Sequence, residues 1–265
     1  MAATLYPEIN NLLDTLLARM QAVLGKRLAG LYLFGSLVWG DFDYEASDID
    51  LLAVTTTGID DNEFTQLEKM HNEVTGLFPA WYDRIEIAYQ SLEALWTFKT
   101  VRSPIAVISP GEPFNLKEAG RDWLLNWYVV QEKGRALYGP APGTLIDAIS
   151  KEEYVQAVRE QAEEWRDYII HTRHSRSYQG YAILTMCRAL YAIKNGEQVS
   201  KNQAARWAQQ HLPEWSDQIQ KALQWRQDHR NRQIDPEATY PETVKFVTFV
   251  IDCIKAENRP VMPGN

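Results

Sequence analysis

The pattern of apolar residues changes once along the chain, and this change limits the folds that the sequence can adopt. Up to residue 138, short strand-like apolar runs alternate with segments of helical periodicity. The segment GPAPG at 139–143 interrupts both patterns, and from 151 to 255 every periodic segment is helical. We therefore predict an α+β domain at residues 1–149, followed by an all-helical domain at residues 150–265.

Three short runs in the first domain have the profile of β-strands. LAGLYLF at 28–34 and DIDLLAV at 48–54 are largely apolar, and RIEIAY at 84–89 alternates strictly between apolar and polar residues. The stretch 103–120 contains three prolines and two glycines, and we predict mostly loop there, with one short strand at 105–108. We expect the strands to form a mixed sheet.

Helical periodicity accounts for most of the remaining chain. In the first domain it predicts a helix at the N-terminus, a second at 60–78 and a third at about 121–133. At the domain boundary, Ser150 and Glu153 have the spacing of a capping box, and Gly196 stands where a helix would end. The helices predicted in the second domain span about 152–173, 179–195, 200–211, 214–229 and 241–256.

Composition limits the partners and compartments that suit this chain. No apolar stretch reaches the roughly 18–20 residues of a membrane span, and the N-terminus lacks the features of a signal peptide. There are only two cysteines, without a CxxC pair, so we expect no disulfide framework and a cytoplasmic protein. The net charge of −8 favours cationic small molecules over nucleic acid as partners. We also expect a monomer.

The dipeptide Gly35-Ser36 ends the first predicted strand and precedes a helix. A glycine at this place lets the backbone approach a ligand closely, and exposed N–H groups at a helix N-terminus favour an anion such as a triphosphate. The hydroxyl of Ser36 can add a direct hydrogen bond. The turn is therefore a candidate phosphate-binding site.

Three carboxylates follow on the next two strands. Asp48 and Asp50 are two residues apart, so their side chains leave the same face of a strand, while Ile49 points into the core. Two carboxylates on one face repel each other unless a cation lies between them, and oxygen ligands of this kind suit Mg²⁺. Glu86 points outward between Ile85 and Ile87, and it could complete a metal site, accept the proton of an attacking hydroxyl, or do both.

This order of Gly-Ser, Asp-x-Asp and a later acidic strand residue resembles the nucleotidyltransferase pattern of the DNA polymerase β superfamily. Leu137-Tyr138-Gly139 is also similar to a segment common in that superfamily. The resemblance implies a polymerase-β-like nucleotidyltransferase domain that binds a nucleoside triphosphate and Mg²⁺.

The second domain resembles one branch of that superfamily. LTMCRALY at 184–191, Gly196 and SKNQAARWA at 200–208 are similar to the C-terminal domain of the aminoglycoside 3''- and 9-adenylyltransferases, which adenylylate streptomycin and spectinomycin. The resemblance implies transfer of AMP from ATP onto a hydroxyl of an aminoglycoside or aminocyclitol.

The resemblance also implies roles for individual residues. Asp48, Asp50 and Glu86 match the family's three carboxylates, and Glu86 matches its catalytic base. Gly35 and Ser36 match its phosphate-binding turn.

Two residues of the second domain have family counterparts as well. Lys201 matches a lysine that reaches the ATP phosphates from the helical domain. Arg188 aligns with a family arginine, to which we assign a phosphate-binding or interdomain role.

One segment departs from the family, which holds its antibiotic with acidic side chains near the start of the helix that precedes this arginine. Here HTRHSRSYQ at 171–179 contains no carboxylate, and Arg173 and Arg176 lie where a cationic acceptor needs anions. Acidic residues of the preceding helix could compensate, although a solvated helix face is the simpler interpretation. These residues are Glu153, Glu160, Glu163, Glu164 and Asp167.

The sequence therefore predicts an Mg²⁺-dependent adenylyltransferase that modifies a hydroxyl of a small molecule, with ATP as the AMP donor. Two alternatives stay open: transfer to a protein or a tRNA, and a non-catalytic nucleotide-binding regulatory module. The acidic surface disfavours RNA as the acceptor, and the three retained carboxylates disfavour a silent module.

Overall fold

The computed structural model describes residues 2–227 and 235–257, and the chain divides into two compact units between Ile149 and Ser150. The first unit contains a sheet with helices, and the second is helical in all of its described residues. The predicted fold class, α+β with a mixed sheet followed by a helical part, is confirmed.

The described part of the first unit, residues 2–149, has six strands and five α-helices. In chain order these are α1 (Pro7–Leu24), β1 (Leu28–Phe34), α2 (Ser36–Trp39), β2 (Ile49–Thr55), α3 (Asp61–Leu77), β3 (Ile85–Ser91), α4 (Leu92–Thr97), β4 (Ser103–Ser109), β5 (Glu112–Ala119), α5 (Leu124–Lys133) and β6 (Arg135–Tyr138).

The strands form one mixed sheet in the order β5-β4-β3-β2-β1-β6. β2 and β3 are parallel, and the other neighbouring pairs are antiparallel. The apolar faces of α1 and α3 share one core with the buried residues of β1, β2 and β3. Because side chains alternate between the two faces of a strand, this core determines which residues of β2 and β3 point away from α1 and α3.

The prediction of mostly loop at 103–120 is wrong, because β4 and β5 form a hairpin there. Pro110 and Gly111 occupy the turn, where a φ of +78° at Gly111 suits glycine. Pro113 lies in the edge strand β5, and Pro104 lies beyond the stretch of β4 that pairs with β3. The prolines, which lack a backbone N–H, therefore remove no hydrogen bond between central strands of the sheet.

The short strand β6 has no counterpart in the sequence prediction. It pairs antiparallel with β1 at the other edge of the sheet, and most of its residues are exposed. A strand of four residues without an alternating apolar pattern offers no periodicity to recognise.

Five α-helices form the described part of the second unit, and α7 is the central one. It packs against each of the others and buries residues along its whole length. The helices are α6 (Lys151–Tyr168), α7 (Arg176–Asn195), α8 (Lys201–His211), α9 (Ser216–Gln227) and α10 (Pro236–Glu257).

The predicted helices are present, with shifted starts for α7 and α10 and an earlier end for α6, which stops at Tyr168 instead of 173. The prediction started α10 at residue 241, whereas the helix begins at Pro236 and contains Pro241. The predicted end of α9, at 229, lies outside the described residues. The capping box of Ser150 with Glu153 is formed, and Gly196 closes α7 in the left-handed conformation. Within the described ranges, none of the helices is long and apolar enough to cross a membrane.

A buried polar pair joins α3 to the sheet. His71 is only 2% exposed, and its Nε2 lies 2.8 Å from the hydroxyl of Tyr89 on β3. Burial lowers the pKa of His71 to about 4 and raises that of Tyr89 well above its ordinary value. His71 is therefore neutral in the folded protein at neutral pH.

We predict that the free energy of unfolding falls as the pH is lowered from about 6.5 to about 4. In this window the unfolded chain binds a proton at residue 71 that the folded protein excludes, which amounts to about 3 kcal/mol over the whole range. Urea unfolding of the full chain at several pH values measures this loss. In the control variant His71→Leu/Tyr89→Phe the loss should be smaller by this amount, and an unchanged pH dependence would contradict the assignment.

Candidate active site

Asp50 and Glu86 are direct neighbours on adjacent strands. In the parallel pairing of β2 with β3, Asp50 is the register partner of Glu86. Paired residues point to the same face, and neighbouring strands lie about 4.8 Å apart. Both side chains are half-buried, whereas Ile49, Leu51 and Ile87 are fully buried. The register therefore brings two of the predicted carboxylates side by side.

Asp48 lies one residue before β2, so the strand begins one residue later than predicted. The amide of Ile49 donates to the carbonyl of Arg84 at 2.9 Å, which keeps the backbone next to Asp48 extended along β3. With a side-chain period of two, Asp48 is on the same side as Asp50. Asp48 is also half-buried.

Ser47 shapes the turn that leads into Asp48. Its side chain is buried, and its hydroxyl accepts a hydrogen bond from the amide of Asp43 at 3.0 Å. The amide of Ser47 donates to the carbonyl of Asp43 at 2.8 Å. These two bonds close a compact turn directly before the first carboxylate.

Arg84 ties this turn to the strand that carries Glu86. Its guanidinium donates to the carbonyls of Tyr44 and Ser47 and lies 4.5 Å from the ring centroid of Trp81. Sequence reasoning did not identify Arg84 or the role of Ser47. The only sequence signal of Arg84 is its position near Glu86, because its contacts join segments about 40 residues apart. Ser47 bonds locally with Asp43, and its signal is its position directly before Asp48.

Gly35 lies against the carboxylate of Asp50. Phe34 is the register partner of Asp50, and the chain leaves β1 at Gly35 with φ +69° and ψ −151°. A Cβ at this position would collide with the side chain of Asp50. The position therefore needs glycine for two reasons: its backbone conformation and the space taken by the carboxylate.

Ser36 begins a helix of only four residues, α2. The amides of Val38 and Trp39 donate to the carbonyl of Gly35, so those of Ser36 and Leu37 precede the first helical hydrogen bonds. A helix this short has a small dipole, and any anion held here would depend on these local N–H groups and the Ser36 hydroxyl.

The two remaining predicted residues, Lys201 and Arg188, belong to the second unit. Lys201 is the first residue of α8, and its Nζ lies 4.7 Å from the ring centroid of Tyr181. Arg188 lies on α7 and is half-buried; its Nε has no hydrogen-bond partner among the described residues. The structure thus gathers Gly35, Ser36 and the three carboxylates in the first unit and these two cations in the second.

The donor atoms around Asp50 fit a hard cation. In the described part of the chain, no group of three or more His, Cys, Asp or Glu residues is arranged to hold a metal ion by itself. Mg²⁺ is usually bound by one or two carboxylates together with water and substrate phosphates, and the pair Asp50 and Glu86 provides carboxylate oxygens of this type. The same pair can also divide its roles, with one carboxylate binding a cation and the other accepting a proton.

We predict that Gly35→Ala lowers the free energy of unfolding by about 2–4 kcal/mol, since it adds a collision with Asp50 to the cost of a positive φ. Gly40→Ala is the matched control, because Gly40 has a φ of +77° and open space where a Cβ would lie, so about 1 kcal/mol should be lost. Urea unfolding followed by circular dichroism measures both values. Equal losses in the two variants would contradict the close approach of Gly35 to Asp50.

Comparison with known proteins adds two findings, one for the second unit and one for the fold. Residues 144–252 match the family described as "Aminoglycoside adenylyltransferase, C-terminal domain", which is less than half of the chain. The solved structure of the spectinomycin adenyltransferase AAD(9) from Enterococcus faecialis, with ATP and spectinomycin, is similar with a TM-score of 0.71. At 17% sequence identity, that match covers 92% of this chain and 98% of the other.

No curated protein matches the chain by sequence. The family match and the shared fold nevertheless agree with each other, and the enzyme class that they indicate is adenylyltransferase. They agree with the resemblance found in the sequence: residues 144–252 match the C-terminal domain of aminoglycoside adenylyltransferases, and the chain shares the fold of AAD(9).

Proposed function

We propose that the protein is an ATP- and Mg²⁺-dependent adenylyltransferase that transfers AMP to a hydroxyl of an aminoglycoside or aminocyclitol. The observation that carries this proposal is the pairing of Asp50 with Glu86 beside the Gly35 turn. It is supported by the family match of the second unit and by the fold shared with AAD(9), whose structure contains ATP and spectinomycin. We further propose that the protein acts in the cytoplasm.

Asp48 and Asp50 would hold Mg²⁺ on the outward face of β2. When bound, Mg²⁺ neutralises phosphate charge and helps to orient the triphosphate for in-line displacement. Ser47 and Arg84 would keep Asp48 in place through the turn that they close. Gly35 would keep Asp50 in place, because a Cβ at residue 35 would collide with the carboxylate in its present position.

Glu86 would accept the proton of the acceptor hydroxyl. As that proton leaves, the hydroxyl oxygen forms a bond to the α-phosphorus of ATP, and the bond between the α-phosphorus and the bridging oxygen breaks to release pyrophosphate. Glu86 suits the role of base because it is half-buried and is the register partner of Asp50, so it lies directly beside the proposed metal site.

Gly35, Ser36 and Lys201 would bind phosphates. Ser36 offers a hydroxyl and a backbone amide at the start of α2, and Gly35 allows close approach of the chain. Lys201 provides a flexible positive charge, and we assign Arg188 a supporting phosphate-binding or interdomain role.

We predict that Glu86→Gln lowers the rate of AMP transfer at least 100-fold and leaves the affinity for ATP nearly unchanged. The amide cannot accept the proton, and a general base contributes about 10²–10⁴-fold to the rate. Pyrophosphate release from ATP and Mg²⁺ with spectinomycin, streptomycin and other aminoglycosides measures transfer, and calorimetric titration measures ATP binding. Glu118→Gln, an exposed strand carboxylate on β5, is the matched control and should have full activity.

Two outcomes would contradict the proposal in different ways. Normal turnover of the Glu86→Gln variant would remove Glu86 as the base but leave the reaction. Tight ATP binding by the wild-type protein, without pyrophosphate release for any acceptor, would argue against transfer to these antibiotics.

A further inference from the structure

Asp83 has an unusual backbone conformation directly before Arg84 and β3. Its φ is +62°, and within the described ranges it is the only residue other than glycine with a positive φ. Positive φ values are unfavourable for residues that have a Cβ, although aspartate and asparagine tolerate them better than most. Residues held in such conformations are concentrated at functional sites. The contacts around Asp83 therefore need to be traced.

The conformation belongs to a tight turn that leads into β3. The amide of Arg84 donates to the carbonyl of Trp81 at 3.1 Å, and Tyr82 in this turn has φ −55° and ψ 129°. Followed by φ +62° at Asp83, these angles match a type II turn. The third position of such a turn normally holds glycine or asparagine. An aspartate at this position indicates that its carboxylate is used.

The carboxylate of Asp83 accepts a hydrogen bond from a second turn. The amide of Gly111, in the turn between β4 and β5, donates to its Oδ1. Because Ile108 on β4 is the register partner of Ile87 in an antiparallel pair, the end of β4 lies beside the start of β3. The hydrogen bond thus ties the turn at 81–84 to the β4–β5 hairpin.

Arg84 ends the turn and contacts the chain on both sides of Asp48. Its carbonyl accepts from the amide of Ile49 at 2.9 Å. Its Nε donates to the carbonyl of Ser47 at 3.2 Å. Ser47 and Ile49 are the two neighbours of Asp48 in the chain. The position of Arg84 therefore determines the position of this carboxylate.

Trp81, at the start of the turn, contacts the same segment through its ring. It is only 2% exposed, and its ring centroid lies 4.5 Å from the guanidinium carbon of Arg84. The rings of Phe42 and Tyr44 lie 6.2 and 5.4 Å from it. An arginine over a tryptophan ring is attracted by the negative face of the ring. Both ends of the turn therefore hold the segment that leads to Asp48.

We propose that Asp83 is a positioning residue for Asp48. Its positive φ and its hydrogen bond to Gly111 fix the turn at 81–84, and this turn fixes Arg84, which holds the chain on both sides of Asp48. The inference rests on the proposed function for the metal-binding role of Asp48. It adds the β4–β5 hairpin to the parts of the fold that support the candidate site.

Two substitutions of Asp83 and one matched control test this role. Asp83→Gly keeps the backbone conformation and removes the acceptor, whereas Asp83→Asn tolerates a positive φ and retains an acceptor oxygen. Asp122→Gly is the control, because Asp122 Oδ1 also accepts from a glycine amide, that of Gly120 at 2.9 Å. Asp122 follows β5, whose last residue pairs with the first residue of β4, far from the β4–β5 turn.

Hydrogen exchange of the full chain without nucleotide, followed by mass spectrometry, tests the geometry. In Asp83→Gly the amides of segment 43–49 should exchange about 5-fold faster or more, since their hydrogen bonds open more often. Asp83→Asn should stay within about 2-fold of the wild type, and Asp122→Gly should leave this segment unchanged. β1 is the internal reference, because a general loss of stability would speed its exchange as well.

Calorimetric titration with ATP, in Mg²⁺ and in EDTA, tests the link to the metal. Asp83→Gly should reduce the gain in ATP affinity that Mg²⁺ provides by about 10-fold, and it should leave the affinity in EDTA unchanged. The kcat of AMP transfer should fall by a similar factor, with an unchanged KM for the acceptor. Asp83→Asn should restore both, and Asp122→Gly should behave as the wild type.

The outcomes separate this inference from the proposed function. Faster exchange confined to 43–49 in Asp83→Gly, without pyrophosphate release by the wild-type protein, would support the positioning role and contradict the reaction. Transfer by the wild type, with unchanged exchange at 43–49 in Asp83→Gly, would support the reaction and overturn the positioning role. Equal acceleration in β1 would also overturn it, because Asp83 would then have only a general structural role. An unchanged gain from Mg²⁺ would overturn the link to the metal.

Discussion

The parallel pairing of β2 with β3 is the interaction on which the candidate active site depends, because it alone brings Asp50 next to Glu86. If the register of β3 relative to β2 shifted by one residue, an isoleucine of β3 would lie opposite Asp50 and Glu86 would point toward the core. The two carboxylates repel each other by about 1–3 kcal/mol at about 5 Å and the dielectric of a protein surface. Burial of the flanking apolar residues contributes about 1.5–3 kcal/mol for each side chain, so it outweighs this repulsion. Those residues are Ile49, Leu51, Ile85 and Ile87.

The same core explains how much of the fold could be predicted from the sequence. The strands β1, β2 and β3 and the helices α1 and α3 share one apolar cluster, and their residues alternate or repeat accordingly. By contrast, β5 and β6 are edge strands with many exposed residues, and neither has a clear apolar period. The prolines near β4 and β5 indicated a break in structure, but they lie at a turn and at positions that need no central hydrogen bond. Propensity alone cannot distinguish that arrangement from a loop.

The candidate site was predictable where function requires particular residue types in a particular order. Gly35, Asp50 and Glu86 are such residues, and the structure adds the reason that Gly35 must lack a side chain. Arg84 was not predictable, because a single arginine directly before a strand has many possible partners, and its contacts with Tyr44 and Ser47 are non-local.

The two ligands of the proposed reaction place opposite demands on an acidic protein. ATP is an anion and would meet Asp48, Asp50 and Glu86, so its approach requires positive charge, which Mg²⁺ and Lys201 can supply. A cationic acceptor needs no such help, because the net charge of −8 attracts it directly.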